Sequence, residues 1–348
     1  MNQILHSKPW ITDTDVLAVT EVLRSGMLAQ GEITKKFERT FSSWIGAYDG
    51  VATGRGAAAL VLALSALAVG DGDEVVFPTY VCTSVLESVL KTGATPVLCD
   101  VGPNWVVTSE NMADCITSNT KALIVPHMYG IFADVHSFQK FGIPIIEDCA
   151  QAIDYKDSRK IIGDIAIFSF HPTKCLTTGE GGMAVSANPG LVDRMRSIRN
   201  GTMNTKMSPL FSPMSDIAAS LGLSQLSRYH DVLDRRKEFA DKYILAFSKI
   251  IPYSIQPNAY KKSMFFRFPI RIKGGLDFYE EPFVQKNICV RRGVDSLLHR
   301  LMNIPDEKFN MAVTLFQTTV LNMTVSQWKY RAGIAPGAWG LCSVSSKP

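Results

Sequence analysis

Ligands for a metal centre are scarce in this sequence. Six histidines occur in 348 residues, with no HxxxH spacing and no cysteine–histidine cluster, so no metal site is expected. Seven cysteines are scattered without a CxxC pair, which argues against a disulfide framework. They read as reduced thiols of a cytosol, mostly buried as small hydrophobes. No run of five Lys or Arg and no basic–aromatic stripe appears, which argues against nucleic acid as a partner. The longest run of small apolar residues, 56–70, is shorter than the ~20 residues that a membrane-spanning helix needs. Within MNQILHSKPWITDTD no basic stretch leads into an apolar core, so a secretory signal is not expected. These absences predict a soluble, cytoplasmic protein with no membrane partner. No internal repeat or low-complexity tract is visible.

What is present is ordinary globular composition, 46% hydrophobic and 20% charged, in a chain long enough for a large α/β domain and a smaller one. The net charge of +4, from 36 basic and 32 acidic residues, suits an anionic metabolite. Helical periodicity covers 13–24 and 34–45, with the turn SGMLAQG between them. Strands are expected at 75–78, 95–100, 122–126, 143–148, 165–170 and 182–187, and helices at 57–68, 81–91, 109–117 and 190–199. Several of the strands are continuous apolar runs, which suits a sheet covered on both faces. Their alternation with helices predicts a mostly parallel sheet with right-handed crossovers. A long helix is expected from 215 to about 245, then a strand in FFRFPIRIKGG. The domain boundary is placed in that helix: 1–235 as the large domain, with a helical segment over 1–50, and 236–348 as the smaller one. The last residues, GAWGLCSVSSKP, read as coil.

Three segments of the α/β region carry chemistry. In TGRGAAALVLAL (53–64), small residues precede an Ala/Leu helix, so the N–H groups near Gly56, Ala57 and Ala58 stand free to meet a phosphate. The same pattern also suits a tight turn into a core helix, and Arg55 suits either an anion or solvent. In IIEDCAQA (145–152) a buried strand ends in two carboxylates, where crevices form in open α/β sheets. Asp148 there can pair with a cationic ring nitrogen or cap the next helix, and Gln151 can bond a cofactor ring or complete that cap. In FSFHPTKCLTTGEGGMAV (168–185) a loop presents Ser169, His171, Thr173 and Lys174. A partly desolvated lysine loses its charge readily, as amine chemistry requires, although a surface lysine fits the same pattern. His127, in PHMYG after a strand, and His171 are further substrate candidates, with structural roles as the alternative.

Taken together and in order, these segments resemble the DegT/DnrJ/EryC1/StrS family of sugar aminotransferases. The resemblance begins at KPWITDTDVLAVTEVLRSGMLAQG and runs through GDEVVFP, KTGATPVLCDV, HMYG, EDCAQA, SFHPTKCLTTGEGG, RSIRN and MSDIAASLGLSQLSR, covering about 8–245. It implies the aspartate-aminotransferase-like fold of pyridoxal-phosphate (PLP) enzymes, fold type I. Lys174 resembles the family's PLP-anchoring and catalytic lysine, and Asp148 the acid paired with the pyridine nitrogen. Ser169, with the backbone at Gly56 and Ala57, resembles the phosphate site, and Gln151 the glutamine near the ring oxygen. The resemblance further implies glutamate as donor, a nucleotide-linked keto-sugar as acceptor, amino-sugar and polysaccharide biosynthesis, and a homodimer with shared active sites. Some relatives that dehydrate or deoxygenate sugars carry histidine at the lysine position, so Lys174 favours transamination over that alternative; a non-catalytic regulatory relative of the same fold is a further alternative, suggested by the atypical phosphate loop, Cys82 and the abbreviated C-terminus.

The sequence also departs from the family pattern. Ala57 stands where a hydroxyl usually helps to hold the phosphate. Cys82 occupies the position of a ring-stacking aromatic, with Tyr80 two residues earlier as a substitute. PLFSPMSD lacks the asparagine by which a second subunit usually reaches the site, and the C-terminal part matches poorly.

Overall fold

The computed structural model describes residues 4–154, 161–202 and 213–321. Residues 209–212 of PLFSPMSD and the final stretch expected to be coil lie outside them.

In chain order the strands are β1 (Asp49–Thr53), β2 (Glu74–Pro78), β3 (Thr95–Cys99), β4 (Thr120–Pro126), β5 (Ile145–Asp148), β6 (Ile165–Ser169) and β7 (Gly182–Ser186). They form one sheet ordered β1-β7-β6-β5-β4-β2-β3. Strands β2 to β6 pair in parallel, whereas β7 runs antiparallel to both β1 and β6. The sheet is therefore mostly parallel, and its middle strands bury both faces, which explains their unbroken apolar character. Strand β1 was not anticipated: DGVAT is short and built of small residues, and only its pairing with GMAVS makes it a strand.

Helices α1 (Asp13–Ser25) and α2 (Glu32–Trp44) precede the sheet, and α3 (Gly56–Ala66), α4 (Thr83–Lys91), α5 (Ser109–Ala113) and α6 (Pro189–Arg199) cover it. Helix α3, GAAALVLALSA, packs on β6 and β7 and is covered by α4 and α6. Its nearly all-apolar surface matches a helix enclosed from every side. Helix α1 begins in a capping box, Thr12 with Asp15, and ends at Gly26 in the left-handed region (φ 72°). Helix α2 has no cap of its own. The Asp216 carboxylate caps it from across the fold, accepting the N–H groups of Gly31 (2.8 Å), Ile33 (3.2 Å) and Thr34 (2.8 Å).

The long helix expected over 215–245 is two helices, α7 (Asp216–Ser227) and α8 (Tyr229–Ile250). They break at Arg228 (φ −120°, ψ 18°), whose guanidinium binds both Asp15 oxygens, the Trp10 carbonyl and the Ser224 carbonyl. Early residues of α8, Tyr229, Val232 and Leu233, pack with the Phe37–Phe41–Phe168–Phe170 cluster. Later ones, Ala240 and Phe247, pack with Tyr260, Phe265 and Phe268.

The C-terminal part adds a small antiparallel pair, β8 (Pro269–Arg271) with β9 (Thr319–Leu321). Strand β8 is shorter than FFRFPIRIKGG suggests, covering only Pro269–Arg271, and Phe265 at the start of that run takes a left-handed φ of 57°. Two buried contacts and one half-buried one clamp this part to the sheet ends: Trp105 Nε1 donates to Thr319 Oγ1 (2.7 Å), Thr79 Oγ1 meets His299 Nδ1 (2.8 Å), and the half-buried Asp100 carboxylate accepts from Met311 and Ala312. This part meets the chain just beyond the C-terminal ends of β2, β3 and β4, at Thr79, Asp100 and Tyr129, the end of the sheet where ligands bind in open α/β folds.

Candidate active site

The anion end of the crevice is built by three close backbones. Gly182 pairs with Thr53 on one side and Ser169 on the other. A Cβ at Gly182 would stand 2.6 Å from the Arg55 carbonyl, and one at Gly56 2.8 Å from Ser169 Cβ. Only glycine permits this approach, which sets the start of α3 against Ser169. No side chain caps α3, so the first-turn N–H groups at Gly56, Ala57 and Ala58 have no acceptor within the helix. The Arg55 side chain is exposed; its carbonyl accepts from Thr53 Oγ1 (3.0 Å).

Two carboxylates end β5 and point to different tasks. Glu147 is buried, with Oε2 3.0 Å from His127 Nε2, and Oε1 accepting from Ile162 (2.6 Å) and Gly163 (2.7 Å). Burial pushes its carboxyl up, but the hydrogen bond and charge of His127 and the two amides outweigh that, so it lies below its ordinary range. His127 Nδ1 accepts from the Ala133 N–H (3.1 Å), so both ring nitrogens are engaged within the protein. His127 thus holds Glu147 and the loop at Ala133, and presents no spare nitrogen to a substrate. Cys149 lies close to this pair, buried beside Glu147 and Asp148, and burial pushes its thiol well up.

Asp148 is buried, and Oδ1 accepts one backbone N–H, from Ala150 (2.9 Å). Burial raises its carboxyl, against the Ala150 hydrogen bond and the charges of Lys174 and His127. Lys174 answers it: burial lowers the amine, while Asp148 and Cys82 push it up and Arg267 pushes it down. The two side chains therefore act on each other within one crevice. Lys174 Nζ also lies 5.4 Å from the centre of the Phe266 ring.

Of the two residues offered as ring neighbours, Tyr80 packs in the apolar core. It is fully buried, accepts from the Tyr129 hydroxyl (2.9 Å), and burial pushes its phenol up to about 12. Cys82 is exposed at the start of α4 and close enough to act on Lys174. Gln151 is half-buried, and its Oε1 accepts the Tyr129 N–H (2.8 Å). It thereby fixes the left-handed turn of Tyr129 (φ 59°). His171 is exposed and caps its own loop, with Nδ1 2.8 Å from Thr173 Oγ1.

The sequence reading overlooked Phe266 and Arg267. Arg267 is 4% exposed, stacks on Phe266 (4.4 Å), and donates to Ser7 Oγ and the Thr173 carbonyl (both 3.2 Å). The one available signal was an arginine inside the apolar run MFFRFPI, a placement expensive enough to indicate a purpose.

The residues fit a phosphorylated pyridine aldehyde. Bare helix N–H groups and a glycine-lined approach suit its phosphate, a buried carboxylate suits a cationic ring nitrogen, and a desolvated amine suits a carbonyl carbon.

Comparison with known proteins identifies the family. Residues 9–328 match the DegT/DnrJ/EryC1/StrS aminotransferase family. The chain is 34% identical over 269 residues to the spore coat polysaccharide biosynthesis protein SpsC of Bacillus subtilis, covering 70% of this chain and 69% of that one. Among solved structures it resembles a putative sugar aminotransferase of Streptococcus pneumoniae in its PLP form, with TM-score 0.85, 26% identity, and coverage of 94% of this chain and 96% of the other. The same protein in its PMP form gives a TM-score of 0.84. The aminotransferase TlmJ of Streptoalloteichus hindustanus also gives 0.84, at 26% identity over 92% and 93% of the two chains. The chain belongs to the DegT/DnrJ/EryC1/StrS family, and it is a PLP-dependent aminotransferase of fold type I.

Proposed function

We propose that this enzyme moves an amino group from glutamate to a keto-sugar carried on a nucleotide, in the cytoplasm, to supply an amino-sugar for a surface polysaccharide or natural product. The observation that supports this reading is the mutual influence of buried Lys174 and Asp148, together with the uncapped start of α3 packed against Ser169 at the end of β6. The polysaccharide role named for the Bacillus subtilis relative supports the acceptor class.

In this reading the first-turn N–H groups of α3 and Ser169 would hold the phosphate, Asp148 would pair with the ring nitrogen, and Lys174 would anchor the cofactor. When bound, PLP would supply an electron sink. The Asp148 carboxylate would favour a protonated ring nitrogen, and that cation would offset the cost of burying the carboxylate. Lys174 Nζ would take up the proton from the donor Cα as general base and release it as general acid; its lowered basicity would keep Nζ available for this. Phe266, with its ring 5.4 Å from Nζ, would help to keep water from Lys174.

A homodimer completes the proposal. Helix α1 and the turn after it expose Val16 (55%), Leu17 (61%), Leu23 (53%) and Met27 (74%), an apolar face suited to a second copy of the chain.

The test is production of 2-oxoglutarate from glutamate, dependent on a nucleotide-linked keto-sugar. Lys174→Ala is expected to lower turnover by several orders of magnitude. Wild-type turnover that survives in Lys174→Ala would refute the assignment.

A further inference from the structure

The strip 264–267 brings an aromatic ring to Lys174, and its backbone is gripped from two sides. Met264, Phe265, Phe266 and Arg267 are all buried, and the strip belongs to no strand. The Phe266 ring lies 5.4 Å from Lys174 Nζ and stacks with Arg267 (4.4 Å). Phe265 takes a left-handed φ of 57°, a strained position that needs outside support.

The N–H groups of the strip meet the turn after β4. Met264 donates to the Gly130 carbonyl (2.9 Å) and Arg267 to the Tyr129 carbonyl (3.3 Å). A Cβ at Gly130 would stand 2.7 Å from the Phe266 nitrogen, so glycine permits the approach. The carbonyls are taken by α8. Arg236 Nη1 donates to the Phe265 carbonyl (3.0 Å) and to the Phe266 carbonyl (2.8 Å). Arg236 is 6% exposed, and its Nε has no hydrogen-bond partner among the described residues. Burying a guanidinium is costly, and here Nη1 meets neutral carbonyls rather than a carboxylate. An apolar side chain of similar size would pack as well or better. What the arginine adds is a fixed position for these two carbonyls.

We propose that Arg236 is a positioning residue for Lys174: by gripping the Phe265 and Phe266 carbonyls it holds the Phe266 ring beside Nζ and keeps water from that amine. The proposal rests on the aminotransferase reading, in which Nζ acts as a base. The groups that act on Lys174 through charge are chiefly Asp148, Cys82, Arg267 and Cys175. Arg236 is not one of them, so its influence on the amine runs through the ring.

The experiment is a pH titration of the isotopically methylated Lys174 amine by NMR, in the full-length protein before PLP is added, with Lys174→Arg to assign the signal. Arg236→Met, Arg236→Lys and Phe266→Leu are made singly, and each Arg236 change is repeated in Phe266→Leu. Arg236→Met is expected to raise the Lys174 midpoint by about half a unit or more, toward its ordinary 10.5, as water reaches Nζ. Arg236→Lys, which keeps the charge and loses the planar fork, should raise it by less. Phe266→Leu alone should raise it too, and in that background neither Arg236 change should move it further. The melting temperature should fall for the Arg236 variants in both backgrounds, so stability and position are read separately. A shift of equal size with and without the ring overturns the proposal, because charge or general loosening would then suffice. An unmoved midpoint in folded variants overturns it as well, and Arg236→Lys decides alone if Arg236→Met does not fold. PLP uptake is followed by the visible band on the same samples. A wild type that takes up no PLP would count against the aminotransferase reading, not against the role of Arg236 in this titration.

Discussion

Lys174 and Asp148 are each unfavourable alone: burial opposes the charge on both, and each restores part of the other's. Two outcomes follow. In the cofactor-free protein the Lys174 amine should titrate below its ordinary 10.5, and Asp148→Asn should move it lower still, because the pair's attraction is lost; NMR of the isotopically methylated amine reads both values. Glu147 behaves oppositely. Its folded carboxyl lies below the ordinary 4.5, so the stability it contributes is present above that pH and is lost as pH falls through the folded value. Glu147→Gln should therefore cost about 2 kcal/mol in urea at pH 7, with the gap to wild type closing below pH 4.5. At this scale the sequence displayed Lys174, Asp148 and the glycines, because strand ends and small-residue runs are local patterns. It did not show that His127 is spent on Glu147 and Ala133, that Tyr80 turns into the core, or that Arg267 enters the crevice. Those are decided by side-chain directions that only the packed fold sets.

Among the elements, α2 depends on a residue far along the chain. Asp216 accepts three backbone N–H groups of the α2 start and the Thr34 hydroxyl (2.7 Å). Asp216→Ala should lower unfolding free energy by about 3 kcal/mol, more than an ordinary exposed cap, because buried donors are stranded. Asp216→Asn, which keeps one acceptor oxygen, should recover part of it, as chemical denaturation would show. The strands and most helices were legible because apolar runs alternate with helical periods. The break at Arg228 was not, since no glycine or proline marks it: helical periodicity continues across it, and the reach of Arg228 to Asp15 and Trp10 makes the turn. Strand β1 was hidden for the complementary reason, its five small residues carrying too little periodicity to read.

At the scale of the whole molecule, the crevice exists because the C-terminal part is docked on the sheet. Gly293 shows how tightly: a Cβ there would stand 1.9 Å from the Tyr80 hydroxyl and 2.1 Å from that of Tyr129. Gly293→Ala should cost about 1–3 kcal/mol by overpacking, and Tyr80→Phe in the same chain should relieve part of that cost, a non-additivity that a double-mutant cycle in denaturant measures. Length and composition could not show this seam, which is written in contacts between residues about two hundred positions apart. The most direct test of the whole account is borohydride reduction of the PLP-loaded protein followed by peptide mapping. The cofactor should be found on Lys174 and should be lost from the protein in Lys174→Ala. Cofactor fixed to any other lysine would contradict the site described here.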